Sequence, residues 1–366
     1  MTEVRSFRMT PLTPVHIGSG DRLAPEEYVV DGQEFVRLDS RAILRALSAQ
    51  ERTAYEAAVD AGRLRDAQRV IRRFWQASRA QGSLRFERFR AAIGESSRED
   101  LRQIIEQPER RGDVLALQRN PYTGAVVIPG SSIKGVMRTA LASWLANTEP
   151  GPRRIATAQQ TAQRGWDGRR LEQAVFGYNA GETEGDPLRL LHVADAEWPA
   201  GGVQVDKPEL TKLGRGDDGT ERIQMHVERL LSRGDGTRTP AVTVALRLET
   251  PGRRSRLFAR AFAWEEIVFA CNRFYANRLN AEYERFSQVA HDGYRWKPTQ
   301  QEFERGLLLR LGRFSHFDSM SVDRYREGRN AARKEPIREI GSTRTMCPLR
   351  AGGRAPFGWV LLEPQR

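Results

Sequence analysis

Residues Val126 to Leu145 read VVIPGSSIKGVMRTALASWL. The stretch begins as a β-branched run, breaks at Pro129-Gly130, and continues as a helix whose first turns hold Ser131, Ser132, Lys134 and Gly135. A strand feeding a helix through Gly130-Ser131-Ser132 gathers unpaired N–H groups, a capping hydroxyl and the positive end of the helix dipole at one point. Such a point can seat an anion. Lys134 adds charge, Gly135 removes a side chain where a backbone could come close, and Arg138 lies one turn beyond Lys134. The same residues also suit an ordinary capped helix with a surface lysine, and the pattern alone leaves both readings open. It is not a Walker A motif, whose lysine follows its second glycine, so ATP use is disfavoured.

Upstream, SFRMTPLTPVHI (Ser6 to Ile17) reads as a strand with Val15 and Ile17 on one face and His16 on the other. It runs into Gly18, Ser19, Gly20 and Asp21, a second glycine-bearing turn that exposes backbone amides. Two strand-end loops of this kind can grip successive phosphates of one strand, contacts that position a nucleic acid without reading its bases.

Composition points the same way. The 366 residues carry a formal net charge of +12, which favours a polyanionic partner, with nucleic acid first. Arginine supplies 54 of the 59 basic residues, a skew that can record genome composition as much as guanidinium chemistry. Lys134 is the only lysine before Lys207. Cys271 and Cys347 stand far apart with no CxxC pattern, which excludes a disulfide framework or a zinc knuckle. The opening MTEVRSFRMT lacks the apolar run of a signal peptide and no later run has membrane-spanning length, so a cytoplasmic setting without membrane contact is expected.

Along the chain, EEYVVDGQEFVRLD predicts a hairpin around Asp31-Gly32, and Ser40 is expected to cap the helix RAILRAL. Residues from about 50 to 112 read as an arginine-rich helical insertion, with Val70, Ile71, Phe74 and Trp75 on the face packed to the body. Residues 151–177 form a second helical insertion ending at Gly177. LRLLHVADAEW and VTVALRLET read as strands, and the charged segment between them as a projecting loop or hairpin. The helix AWEEIVFACNRFYANRLNAEYERF carries core aromatics, Tyr283 among them, and GLLLRLGRF and GWVLLEP close the chain as strands. Interleaved strands, helices and hairpins predict an α+β fold of the βαββαβ type, in two halves: residues 1–250 with the insertions, then 251–366.

Catalysis has little support. The five histidines, His16, His192, His226, His291 and His316, show no HxH, HxxxH or HExxH spacing, and only His16 with Asp21 is close enough in sequence to propose as an acid–base pair. The acids of DSMSVD and RGDD read more plainly as charged loops than as a metal cluster. No cofactor or metal is expected.

LTPVHIGSG, IPGSSIKGVMRTAL and RAPFGWVLL occur in this order, and together the chain resembles the RAMP superfamily of CRISPR RNA-binding proteins, in particular the family of the fifth Csm subunit of type III-A effector complexes. DPLRLLHVADAE and STRTMCPL are similar to further segments of that family. The resemblance implies a ferredoxin-like (RRM-like) fold, binding to the 3′ portion of the guide (crRNA), and a capping position at one end of a hetero-oligomeric backbone. The implied partners are the guide, the guide–target RNA duplex, and the backbone and small subunits. It also implies RNA contacts from His16, Gly18, Ser19, Gly20, Gly130, Ser131, Ser132, Lys134, Gly135 and Arg138, and from Arg344 and Arg354 in the late motifs. A thumb hairpin is implied between about Lys207 and Arg222. In the resemblance, target cleavage belongs to a neighbouring subunit, and the residues around Asp21 do not match that subunit's pattern. A guide-processing endoribonuclease using His16, or a free-standing RNA-binding protein, is the alternative.

Overall fold

The structure, a computed structural model, describes residues 2–107, 113–161, 166–179, 181–199, 201–213, 220–222, 225–236, 239–251, 258, 260–289, 293–326, 328–329, 336–337 and 341–365. Midway along the strand Thr2–Pro11, Phe7 and Met9 enter the core while Arg8 between them faces solvent. It pairs antiparallel with Val242–Glu249 on one side and with Trp359–Pro364 on the other. Leu191–Val193 and Leu307–Arg310 flank that trio and complete a five-stranded sheet. Helices Gly130–Ala146 and Trp264–Phe286 pack together on it, joined by a Tyr275 hydroxyl that donates to Val136 O at 3.0 Å.

Taken in chain order, Thr2–Pro11, Gly130–Ala146, Leu191–Val193, Val242–Glu249, Trp264–Phe286 and Trp359–Pro364 make one βαββαβ unit. Its strands lie in the spatial order 4-1-3-2, the ferredoxin-like arrangement. The fold is α+β, as the sequence predicts. This sheet joins strands from both sides of residue 250.

A second sheet of seven strands runs Gly18–Leu23, Val114–Leu117, His226–Leu230, Val203–Asp206, Glu87–Ile93, Glu34–Leu38, Tyr28–Asp31. The hairpin at Asp31-Gly32 forms, with Gly32 at φ +61°, and Ile71 and Trp75 of the helix Leu64–Ala80 bury themselves over it while Val70 and Phe74 are partly covered. The amphipathic helix therefore packs on the body.

Several sequence readings shift. Asp39, not Ser40, caps the first helix, accepting from Ala42 N at 3.0 Å. The segment 50–112 is not wholly helical: Glu87–Ile93 is a strand of the second sheet, its alternation masked by arginine, and it leads into the helix Glu95–Glu106. Tyr283 lies 42% exposed rather than in the core. Glu209–Lys212 pairs antiparallel with Thr220–Arg222 where the thumb is implied, while the RGDD acids lie outside the described residues, as does His291. The two cysteines are free and buried. Among the described residues, no helix is long and apolar enough to cross a membrane.

Candidate nucleic-acid interface

The chain leaves the strand Thr2–Pro11, crosses to the second sheet at Gly18, and passes the start of the helix Gly130–Ala146. A groove of about 680 Å³ opens there. His16 to Arg22 form one wall, Ser131, Ser132, Gly135 and Thr139 of the helix another, and Gly312, Arg313, Ser319 and Met320 a third. The two glycine-bearing segments singled out in the sequence thus meet at one site.

At the helix start the N-cap residue, Pro129, has no side chain that can cap the first turn. Gly130 N donates to Asp195 Oδ1 at 2.7 Å and Ser132 N to Pro129 O at 3.0 Å, while Ser131 N–H has no partner among the described residues. Asp195 therefore takes up part of the dipole that the sequence pattern leaves wholly to an anion. Gly130 serves packing rather than contact: a Cβ there would lie 2.0 Å from Val193 O, so only glycine lets the helix begin against the strand Leu191–Val193. Gly135 is different. It is exposed, and a Cβ built on it meets nothing within 4 Å.

His16 is buried, not turned outward, because the strand ends at Pro11 and the following loop tucks Val15, His16 and Ile17 inward together. Its Nδ1 donates to Glu228 O at 2.7 Å. Burial, reinforced by nearby Arg313 and opposed by that hydrogen bond, lowers its pKa to about 4, so the ring is neutral at pH 7. Asp21 does not meet it. Asp21 instead exchanges hydrogen bonds with Ser19, whose Oγ donates to Oδ2 and accepts from Asp21 N, both at 3.1 Å. Gly18 has no room for a side chain, since its Cβ would lie 2.8 Å from His16 Nε2, and Gly20 sits at φ +92°, where glycine is favoured.

The cations expected at the groove are mostly elsewhere. Lys134 is half-buried on the adjoining helix face; burial lowers its pKa, Asp186 opposes the shift, and Arg138 and Arg189 add to it. Arg138 is committed internally, to Glu172 at 2.7 Å, Asp186 at 2.6 Å and the Tyr178 hydroxyl at 2.9 Å. Arg344 is fully buried against Glu282 and Asp318, and Arg354 pairs with Glu209 at 3.2 Å. None of these four lines the groove.

Sequence reasoning missed the third wall. Gly312, at φ +89°, lets its segment lie directly on the His16 loop: a Cβ would stand 2.3 Å from His16 O, and Arg313 N donates to that same oxygen at 3.0 Å. Arg313 is thereby held at the rim, exposed, with no ion pair among the described residues. Arg22 also lines the groove, paired with Asp113 at 2.9 Å on the surface. The only signal in the sequence is a glycine-arginine pair directly after the apolar run LLLRL.

The sequence profile of the RAMP superfamily matches residues 8–277, which include the first two walls. The chain belongs to the RAMP superfamily. No curated protein matches it. Among solved structures, this RAMP protein is similar to a chain of the cryo-EM structure of a Csm–crRNA–target RNA ternary complex of a type III-A CRISPR-Cas system, at 19% identity and a TM-score of 0.63, over 99% of this chain and 100% of that one. It is also similar to the crystal structure of Csm5 from T. onnurineus, at 15% identity and a TM-score of 0.55, over 97% and 99% of the two chains. Both likenesses establish a shared fold along the whole length.

Proposed function

We propose that this RAMP protein is a crRNA-binding subunit of a type III CRISPR effector complex, gripping the 3′ portion of the guide and capping the backbone of repeated subunits. The observation that carries the reading is the groove itself. The backbone of the irregular strand start at Gly18 to Gly20, hydroxyls at Ser131, Ser132 and Thr139, and Arg313, without an ion pair among the described residues, surround one channel. These groups suit a sugar–phosphate backbone and offer little base discrimination. The full-length likeness to a chain found with crRNA and target RNA supports the same assignment.

A scaffold role fits better than a guide-processing nuclease. His16 is neutral and buried, with Nδ1 engaged by Glu228 O, and Asp21 is turned to Ser19, so the two form no acid–base pair. The complex partners in this reading are the other Csm-type subunits and the guide–target duplex.

The test is RNA affinity against salt, with the same RNA recovered and sized afterwards. Guide RNA should bind with a log–log slope of about −0.7 per phosphate contact and come back intact. Removing its 3′ portion should weaken binding more than removing its 5′ portion. A salt-independent affinity, or cleaved repeat RNA, overturns the proposal.

A further inference from the structure

Between the strand Val114–Leu117 and the helix start lies a tight turn, Asn120-Pro121-Tyr122-Thr123-Gly124, that the groove does not include. Tyr122 at its tip is 96% exposed. Its ring makes no aromatic or cation–π contact among the described residues. The other exposed aromatic rings are less free: Phe269 packs edge-on against Trp144, and Tyr283 lies under the Lys297 ammonium.

The turn that carries this ring is unusually well pinned. Asn120 Oδ1 accepts from Tyr122 N at 2.9 Å and Thr123 N at 3.3 Å, and its Nδ2 donates to Glu197 Oε1 at 3.0 Å. Asn120 and Ala125 bond across the base, and Arg119 Nη1 donates to Gly124 O at 3.0 Å. Arg119 is itself anchored, to buried Glu228 at 3.3 Å and over the Phe89 ring. A large ring held in water on a rigid support gains nothing for the fold, but it can bind a flat partner with little ordering cost.

Both legs of this ribbon border the groove. On one side Gln118 N donates to Ile17 O at 2.9 Å and Leu117 faces Gly18. On the other, Val127–Ile128 runs straight into Pro129 and Gly130. At ~3.3 Å per residue, the five residues from Leu117 reach at most about 17 Å, the length of a few nucleotides. Arg37, which has no ion pair among the described residues, lies close enough to act electrostatically on Arg119 and Glu228. The flanking tip residues, Pro121 and Thr123, are exposed, and only the small Pro121 ring adds apolar surface beside Tyr122. That favours a single base over a protein surface, whose anchors sit within a ring of water-excluding contacts.

We propose that Tyr122 is a base-stacking platform for one nucleotide of the RNA strand where it leaves the groove beside the helix start. The inference rests on the crRNA-binding reading above and adds a base contact to its phosphate contacts. Any base can stack on such a ring, so the site fixes the register of the strand rather than its sequence.

The test pairs Tyr122→Ala with a set of single-stranded RNAs, each carrying one abasic nucleotide at a different position. With its side chain in solvent, the variant should melt like the parent protein. It should bind intact RNA about five- to a hundredfold more weakly, with an unchanged salt slope. For one abasic position only, parent and variant should bind alike, because the missing base and the missing ring are the same contact. Equal affinity of parent and variant for intact RNA overturns the inference while leaving the groove's role standing. A parent protein that binds no RNA at all overturns both. A variant that keeps its RNA affinity but fails to assemble with other subunits replaces the base with a protein partner, and so also overturns it.

Discussion

Arg310 and Arg313 are three residues apart, yet they belong to opposite electrostatic regimes. Arg310 is fully buried, its Nη1 2.7 Å from Glu282 Oε2, in a centre that also holds Arg344, Asp318 and the Trp359 indole N–H. Arg313 lies past the end of the strand Leu307–Arg310 and projects exposed at the groove, with no ion pair among the described residues. The buried centre ties the helix Trp264–Phe286 to three strand segments and holds the ferredoxin-like unit closed. The groove leaves the Arg313 guanidinium and the Ser131 N–H without partners among the described residues, open to a ligand. A basic composition alone says nothing about which arginines do which, since an internal carboxylate uses up a guanidinium as completely as a phosphate would.

The largest effect that could break this contrast is at Glu282. Its carboxylate is wholly buried and accepts from Arg310, Arg344 and Trp359 Nε1. Glu282→Gln would leave two buried guanidinium groups without their common counter-charge, a change that typically costs about 3–5 kcal/mol. Urea denaturation measures it, and a loss under about 1 kcal/mol would mean that the centre is not the clasp described here.

Arg313→Ala probes the other regime. Unfolding free energy should change by no more than about 0.5 kcal/mol, because the exposed side chain has no ion pair to lose among the described residues. RNA affinity should drop about tenfold, and the log–log salt slope should shrink by about 0.7, the signature of one phosphate contact. If instead Lys134→Ala weakens RNA binding more than Arg313→Ala does, the helix face beside Asp186 is the true contact surface, and the assignment of walls must be redrawn.

What the sequence conveyed is what short-range chemistry encodes. Asp31-Gly32 announced a hairpin because a two-residue turn needs the φ that Gly32 adopts, and the spacing of Trp264, Ile267, Cys271 and Phe274 announced a buried helix face. IPGSSIKG marked a helix start, which it is. The failures were failures of range. Nothing within a few residues of Arg344 tells that a carboxylate 62 positions away will meet it. His16 reads as outward by alternation, but alternation holds only within a strand, and this one stops five residues earlier. Glu87–Ile93 reads as helical insertion because arginines fill the polar half of its alternation. Arg313 was invisible for the same reason as Arg344, with the opposite outcome.

The smallest effect on stability, and the most pointed on function, concerns Gly135. It occupies a helix interior where leucine is favoured over glycine by about 1 kcal/mol, and its position is exposed, with open space where a Cβ would stand. Gly135→Leu should therefore melt at or slightly above the parent temperature. Gly135 also lines the groove between Ser132 and Thr139, so the new side chain would stand in the path of a backbone approaching Ser131 N–H. RNA affinity should fall although the protein is no less stable. A glycine kept only for packing predicts the reverse pairing, a lower melting temperature with affinity falling only in step. A stable variant with undiminished affinity would remove the helix start from the RNA path and leave the His16–Arg22 segment and Arg313 to hold the strand without it.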